Sequence, residues 1–140
     1  MRSTMFVAVG VLVALLSASC TKKSPTDATD PGQSYPLTLT GTVSSQGFTQ
    51  HSITASRSGT LTLRLTWSGS NDLDLYLTTS ACNSYPPGNQ PGCPMLVLST
   101  NDSGNTETIT RTVASGEEFK AWVDNFSTGS TAYALVVDIQ

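Results

Sequence analysis

The sequence predicts an all-β fold, an antiparallel, jelly-roll-like β-sandwich of about eight strands over residues 37–140. Apolar and polar residues alternate with a period of two along several short segments, as in strands that bury one face. Turn residues (Gly, Ser, Asn, Asp) separate these segments, and no stretch of ten residues has the apolar spacing of a helix. Short strands at regular spacing are typical of a sandwich.

The first four strands are predicted at residues 37–43, 48–55, 60–67 and 72–77. In each strand the apolar members of the alternation share a face and are expected in the core: Leu37, Leu39, Val43, Ile53, Ala55, Leu61, Leu63, Leu65, Trp67, Leu73, Leu75 and Leu77. The opposite face of the fourth strand then carries Asp72, Asp74 and Tyr76.

The last four strands are predicted at 95–99, 108–113, 119–123 and 133–139. Trp122 alternates with the apolar residues of its strand, so it leaves the sheet on the face away from the core. Two interpretations remain open for it. Trp122 and a nearby Tyr76 could stack on a sugar or a peptide, since aromatic side chains are enriched where binding energy concentrates. Alternatively, Trp122 covers the sheet beneath a loop.

The N-terminus resembles a bacterial lipoprotein signal peptide. Arg2 precedes the apolar stretch 5–16, which is too short to span a bilayer, and small residues lead to Cys20. The resemblance implies cleavage after residue 19 and acylation of Cys20, for example with palmitate. Residues 20–36 are polar and rich in proline, which predicts a disordered tether. A plain secretory signal with a fortuitous cysteine is the alternative.

Two further cysteines, Cys82 and Cys93, remain in the exported part of the chain. An even number of cysteines in an oxidising compartment predicts a disulfide, which would close the Pro- and Gly-rich segment between them. A metal site is a weaker alternative, because no histidine or further cysteine lies nearby to complete the ligand set.

The composition argues against two classes of function. A net charge of −3 disfavours nucleic acid, because binding to phosphates requires clustered Lys and Arg. The only histidine is His51, both cysteines of the domain are expected to be oxidised, and no Gly-x-Ser-x-Gly motif occurs. We therefore expect that the protein is not an enzyme.

Three ordered segments resemble the bacterial pre-peptidase C-terminal domain, a small β-sandwich attached to secreted proteases and other exported proteins. They are 58–66, with a Gly-led alternating strand, 71–77, with an Asp-Leu-Asp-Leu-Tyr motif, and 107–136, with an acidic residue, a Gly turn and a closing Tyr-x-Leu strand. The resemblance covers about residues 41–139. It implies a binding or accessory role for this domain.

Some members of that domain family bind calcium, which takes hard oxygen ligands. The resemblance makes Asn71, Asp72, Asp74 and Glu107 candidate calcium ligands, with Asp102, Asn105 and Asp124 as further candidates from facing turns. No cofactor is expected to be required. The alternative for the acidic face is a solvated surface whose carboxylates accept hydrogen bonds from the backbone or from hydroxyl groups.

The predicted function is that of a non-catalytic lipoprotein of the bacterial cell envelope, a module that binds a glycan, an envelope polymer or a protein. Thr21 follows the lipidated cysteine where an Asp would resemble an inner-membrane retention signal, so the outer membrane is the expected location. A structural subunit or spacer with a protein partner is the alternative. An accessory domain of a secreted peptidase system is a more remote one.

Overall fold

The structure is a computed structural model that describes residues 27–28, 34–85 and 93–140. The predicted signal peptide, Cys20 and most of the predicted tether lie outside these ranges. The described residues form nine strands: β1 (Asp27–Ala28), β2 (Leu37–Val43), β3 (Phe48–Thr54), β4 (Gly59–Trp67), β5 (Leu73–Thr79), β6 (Met95–Ser99), β7 (Thr106–Val113), β8 (Glu118–Asn125) and β9 (Thr131–Ile139). The described residues include no helix that could cross a bilayer.

Strands β2 to β9 form the predicted antiparallel sandwich. One sheet has the order β2-β9-β4-β7, and the other has the order β3-β8-β5-β6 with β1 added at the β3 edge. Consecutive strands alternate between the two sheets, apart from the β5–β6 hairpin, and the order of the eight long strands is that of a jelly roll. The eight predicted strands and their all-β class are therefore confirmed, with ends that differ by one or two residues.

The core lies between the sheets and consists of the residues that alternation predicted to face inward. The four-stranded sheet contributes a leucine row from β4, and β9 lies beside it in register, so that Leu63 pairs with Val137 and Leu65 with Leu135. The five-stranded sheet contributes the corresponding row Leu73, Leu75, Leu77 from β5 and the alternating apolar residues of β8. Trp67 is part of this core, as predicted.

The N-terminal end of the described chain contacts the domain at the β3 edge. Asp27 and Ala28, in the segment predicted to be a disordered tether, pair in parallel with Ser52 and Ile53. Tyr35 donates a hydrogen bond from its hydroxyl group to the carbonyl of Thr54 at 2.7 Å, and its ring packs against the core. Contacts with the sandwich therefore begin before Leu37, the predicted first residue of the domain.

The two sheets differ in how their strands are buried. Strands β4 and β9 alternate between buried and accessible residues along their length. Strands β5 and β8 bury residues on both faces, including Thr78, Trp122 and Asp124 on the face away from the core. Additional groups must therefore cover the outer face of the five-stranded sheet.

Candidate functional site

Three adjacent strands place polar and aromatic side chains together on the outer face of the five-stranded sheet. The register sets Trp122 of β8 between Gln50 of β3 and Tyr76 of β5. One step further along the strands, Asp124 lies between Phe48 and Asp74. The prediction that Trp122 and Tyr76 share a face is therefore confirmed, and β3 adds Phe48 to them.

The aromatic rings on this face form one cluster, which we call the aromatic cluster: Phe48, Tyr76, Tyr85 and Trp122. The rings of Phe48 and Tyr85 are stacked, with centroids 4.3 Å apart and planes inclined by 8°. The Trp122 ring lies beneath both, with its centroid 5.6 Å from that of Phe48 and 6.3 Å from that of Tyr85. Such offsets and tilts are favourable for aromatic pairs.

Trp122 itself is buried and does not offer a stacking surface to solvent. It is 1% exposed, it contacts the cystine, and its indole N–H donates to the Thr78 hydroxyl group at 3.0 Å. The structure therefore agrees with the second interpretation of Trp122, in which its ring covers the sheet beneath neighbouring groups. The accessible ring of the cluster is Phe48, which is 46% exposed although its stacking partner covers one side.

The cystine between Cys82 and Cys93 is present as predicted and holds Tyr85 over the sheet. The ammonium group of Lys120 on β8 donates to the Cys82 carbonyl at 2.7 Å and also to the Asn83 side chain. The Cys82 amide donates to the carbonyl of Thr79 at the end of β5. The segment that carries Tyr85 is thus fastened to both β5 and β8, and this accounts for the second buried face of these strands.

Two carboxylates lie directly opposite each other beside the aromatic cluster. Asp74 and Asp124 are cross-strand neighbours, and they are only 9% and 3% exposed. Tyr76 donates its hydroxyl hydrogen bond to Asp74 at 2.8 Å, and Tyr85 donates to Asp124. Side chains in such positions are about 5 Å apart at their Cβ atoms, and like charges there are unfavourable.

The pKa values of the two carboxyl groups reflect this environment. Burial raises the pKa of Asp74 to about 6, although the hydrogen bond from Tyr76 opposes the shift. The negative charges of Asp72, Glu107 and Asp124 contribute to this raised pKa. Burial also raises the pKa of Asp124. Both tyrosine hydroxyl groups remain protonated donors, because burial and the neighbouring carboxylates raise their pKa values.

The four residues predicted as calcium ligands do not converge on one site. Glu107 points into the sandwich, where it is fully buried and accepts hydrogen bonds from the Ser99 hydroxyl and from the backbone and side-chain amides of Asn101. The Asn71 amide donates to the Gly129 carbonyl and to a threonine hydroxyl. Among the described residues, no group of three or more His, Cys, Asp or Glu side chains is arranged to hold a metal ion.

His51 lies inside the core rather than at a surface site. It is 1% exposed, and its Nε2 is 2.6 Å from the hydroxyl oxygen of Tyr133. Gly41, the cross-strand neighbour of Tyr133, leaves room for that hydroxyl group, since a Cβ at residue 41 would lie 2.6 Å from it. Burial lowers the pKa of His51. In this setting His51 packs against Tyr133 and positions its hydroxyl group.

Two members of the site were missed from the sequence, and one was misplaced. Phe48 is five residues before the inward-facing Ile53, so the alternation already assigned it to the outer face. Glu107 is two residues before the inward-facing Ile109, so alternation would also have placed it on the core-facing side of its strand, whereas Asp74 faces outward. Tyr85 follows Cys82 in a segment without periodicity, and no local signal placed its ring against Phe48.

Comparisons with known proteins support the fold. No family model and no curated protein sequence matches this chain. Among solved structures, the pre-peptidase C-terminal domain of a collagenase from Bacillus anthracis is similar, with a TM-score of 0.56 and 10% identity over 74% of this chain and 89% of that one. The mitogen from Yersinia pseudotuberculosis has a TM-score of 0.52 and 20% identity over 75% and 87% of the two chains.

A third similar structure is CorA, a surface-associated copper-binding protein of Methylomicrobium album BG8. It has a TM-score of 0.51 and 8% identity, and the alignment covers 74% of this chain and 93% of that one. At these identities the likeness concerns the fold and not the site. The described domain is thus a β-sandwich similar to the pre-peptidase C-terminal domain, as the sequence motifs had indicated.

Proposed function

We propose that this protein is a non-catalytic binding module of the bacterial cell envelope, and that the outer face of the five-stranded sheet binds its ligand. The observation that carries the proposal is the exposed, stacked ring of Phe48 above the buried Trp122. An aromatic ring held rigidly at a surface loses little conformational freedom on binding, and such anchors dominate many interfaces.

The surroundings of Phe48 support the same conclusion. Leu98, the cross-strand neighbour of Tyr76, is also largely exposed, so apolar surface flanks the carboxylate pair. Apolar residues rimmed by polar groups mark interaction sites on many proteins. The cluster lies outside the main core of the sandwich, so the domain does not need an exposed Phe48 in order to bury its apolar interior.

The chemistry of the acidic groups favours binding over catalysis. Asp74 and Asp124 lie side by side on one sheet face, and a tyrosine hydroxyl group already donates to each. Two carboxyl groups that hydrolyse a glycosidic bond must instead flank it from opposite sides. The remaining general base, His51, is sealed between the sheets.

Retention on immobilised ligands tests this proposal. The full-length chain, purified in mild detergent, is applied to peptidoglycan, to a set of bacterial polysaccharides and to a set of envelope proteins. We expect one of these to retain it, and Phe48→Ala to weaken retention about tenfold or more, the loss typical of a central aromatic residue.

The matched control is Phe126→Ala. Phe126 is 54% exposed, lies beyond the end of β8, and makes no ring contact with the aromatic cluster in the described parts of the chain. The Phe126→Ala substitution should leave retention unchanged. Equal retention of the wild type and of Phe48→Ala, or retention by none of the ligands, would contradict the proposal.

We further propose that Cys20 is acylated, for example with palmitate, and anchors the domain to the outer membrane. The lipoprotein-like signal sequence supports this location. Mass spectrometry of the mature N-terminus should show acyl chains on Cys20, and Cys20→Ser should move the protein from the membrane to the soluble fraction. An unmodified cysteine in the mature wild-type protein would contradict the anchor.

We also propose that the fold does not depend on calcium, since Asn71, Asp74 and Glu107 already have side-chain hydrogen-bond partners and Glu107 faces the core. A ligand that binds only the folded state raises the midpoint of thermal unfolding. The midpoint should therefore be the same in millimolar calcium and in chelator. A rise of several degrees in calcium would contradict this proposal and restore Asp72 and Asp74 as candidate ligands.

A further inference from the structure

The proposed binding face carries uncompensated negative charge. Asp74 and Asp124 face each other across β5 and β8, and the charge of Asp72 also acts on Asp74. Within the described residues no basic side chain acts on either carboxyl group; their partners are the two tyrosine hydroxyl groups and, for Asp124, the Asn125 backbone amide. A cation bound between the two carboxylates would therefore relieve a repulsion as well as gain an attraction.

Three of the four Lys and Arg side chains of the described residues are engaged elsewhere, and the fourth, Arg64, lies on the outer face of the four-stranded sheet. Lys120 lies on the same face, but its ammonium group donates to the Cys82 carbonyl and to Asn83. Arg57 donates to the Ile139 carbonyl, and the Arg111 guanidinium lies 5.8 Å from the centroid of the Phe119 ring. No basic side chain of the described residues therefore supplies the compensating positive charge, which a bound ligand would provide.

The aromatic rings and the burial of the carboxylates limit what that ligand can be. Aromatic faces attract cations, so the free face of Phe48, the cross-strand neighbour of Asp124, also favours a positive group beside the carboxylates. Asp74 and Asp124 are at most 9% exposed, so a cation on a slender stem can approach them more closely than a cation on a bulky ring. Lysine presents a compact ammonium group at the end of a four-carbon apolar stem.

We infer that this face binds a lysine side chain of a protein partner, with the ammonium group at Asp74 and Asp124 and the methylene stem against Phe48. The inference rests on the proposed function and names the ligand class for that site. Charge complementarity carries it, since the chain has a net charge of −3 and the face itself is acidic.

Titrations followed by amide NMR test the inference. The probes are the peptide acetyl-Gly-Lys-Gly-amide, the same peptide with an ε-acetylated lysine, glucosamine, and calcium chloride. With the lysine peptide we expect saturable shifts at residues 48, 76, 98 and 124, and at least tenfold weaker binding of the acetylated peptide, which lacks the charge. Glucosamine carries its ammonium group on a bulky ring and should also bind at least tenfold more weakly.

Variants assign the effect to the carboxylate pair. Asp74→Asn with Asp124→Asn keeps hydrogen-bond acceptors for both tyrosines and should abolish the lysine-dependent shifts. Asp138→Asn, on the outer face of the four-stranded sheet, should leave them unchanged. Each variant is first checked for a cooperative melt, and if the double variant does not fold, Asp124→Asn alone should weaken binding several-fold.

The outcomes separate the inference from the proposed function. Equal shifts with both peptides, preferential binding of glucosamine or calcium, or no shifts on this face would overturn the lysine inference. If Phe48→Ala still reduces retention on one of the immobilised ligands, the proposed function stands without it. If the double variant Lys22→Ala with Lys23→Ala bound the peptide much more tightly than the wild type, the chain's own lysines would be the occupants of the site. That result would also overturn the inference.

Discussion

The outer faces of the two sheets arise from the same alternation but differ in what they carry. The four-stranded sheet presents rows of threonine, as in the register pairs of Thr60 with Thr112 and of Thr62 with Thr110. The five-stranded sheet presents two buried carboxylates and the aromatic cluster, which packs against the cystine. The first is an ordinary solvated surface with high strand propensity. The second has a small core of its own, and this difference is the reason for proposing it as the binding face.

The largest expected effect is on the free energy of unfolding, when a buried residue of the aromatic cluster is replaced instead of an exposed threonine of the other sheet. Trp122→Ala removes a fully buried indole from between Phe48, Tyr85 and the cystine, so the free energy of unfolding should fall by about 3–5 kcal/mol. Thr110→Ala, on the outer face of the other sheet, should change it by about 0.5 kcal/mol or less. Urea unfolding of both variants provides the comparison. Similar losses for the two would remove the distinction between the faces.

The next largest effect concerns the cystine. The cysteines are 11 residues apart, so replacing both with serine should lower the free energy of unfolding by about 3 kcal/mol on the chain-entropy model. It should also free Tyr85 from Phe48 and increase the accessibility of Trp122 to a fluorescence quencher. Phe126→Ala should change neither quantity appreciably. A double variant as stable as the wild type would show that the β5 and β8 contacts alone fix this segment.

The fold was predictable because alternation acts locally. The pleat of an extended backbone sends successive side chains to opposite faces, whichever strand lies next to it. This is why the leucine rows of β4 and β5 were assigned to the core correctly. Strand order was not predictable in the same way. The pairing of Leu37 with Val137, for example, joins the two ends of the domain, and only the packing of the whole sandwich selects it.

The site was predictable only where it depends on alternation. Trp122 and Tyr76 were placed on one face correctly, because each alternates with core residues of its own strand. The sequence could not decide between exposure and burial of Trp122, since its burial depends on Phe48 from another strand and on Tyr85 from a segment without periodicity. The aromatic cluster therefore forms only when long-range pairing and the disulfide bring separate segments together.

A smaller effect on stability is expected from the acidic pair, and this effect depends on pH. Since the pKa of Asp74 is raised from 3.8 to about 6, the folded state binds more protons than the unfolded state between these values. Ionised Asp74 therefore lowers stability above pH 6. Asp74→Asn should be more stable than the wild type at pH 7 by about 1 kcal/mol, after allowance for solvent screening, and the difference should vanish near pH 4.

The comparison between Asp74→Asn and the wild type is needed because His51 acts in the opposite direction. Its lowered pKa means that the unfolded state binds more protons below pH 6.5, so its contribution to stability declines as the pH falls. The difference between the two proteins cancels this shared contribution. Unfolding midpoints in urea from pH 4 to pH 8 provide the measurement. A variant less stable than the wild type at pH 7 would contradict the destabilising effect of ionised Asp74 in its buried, acidic surroundings.

Site-specific photocrosslinking in the source cells tests the central claim most directly, because it compares the two faces whatever the chemical identity of the ligand. A photoreactive phenylalanine analogue is placed at position 48 or 98 on the five-stranded sheet, and at position 62 or 110 on the four-stranded sheet. We predict adducts of defined mass from positions 48 and 98, and none from 62 and 110. Equal or stronger adducts from the threonine face, or no adducts from positions 48 and 98, would contradict the account.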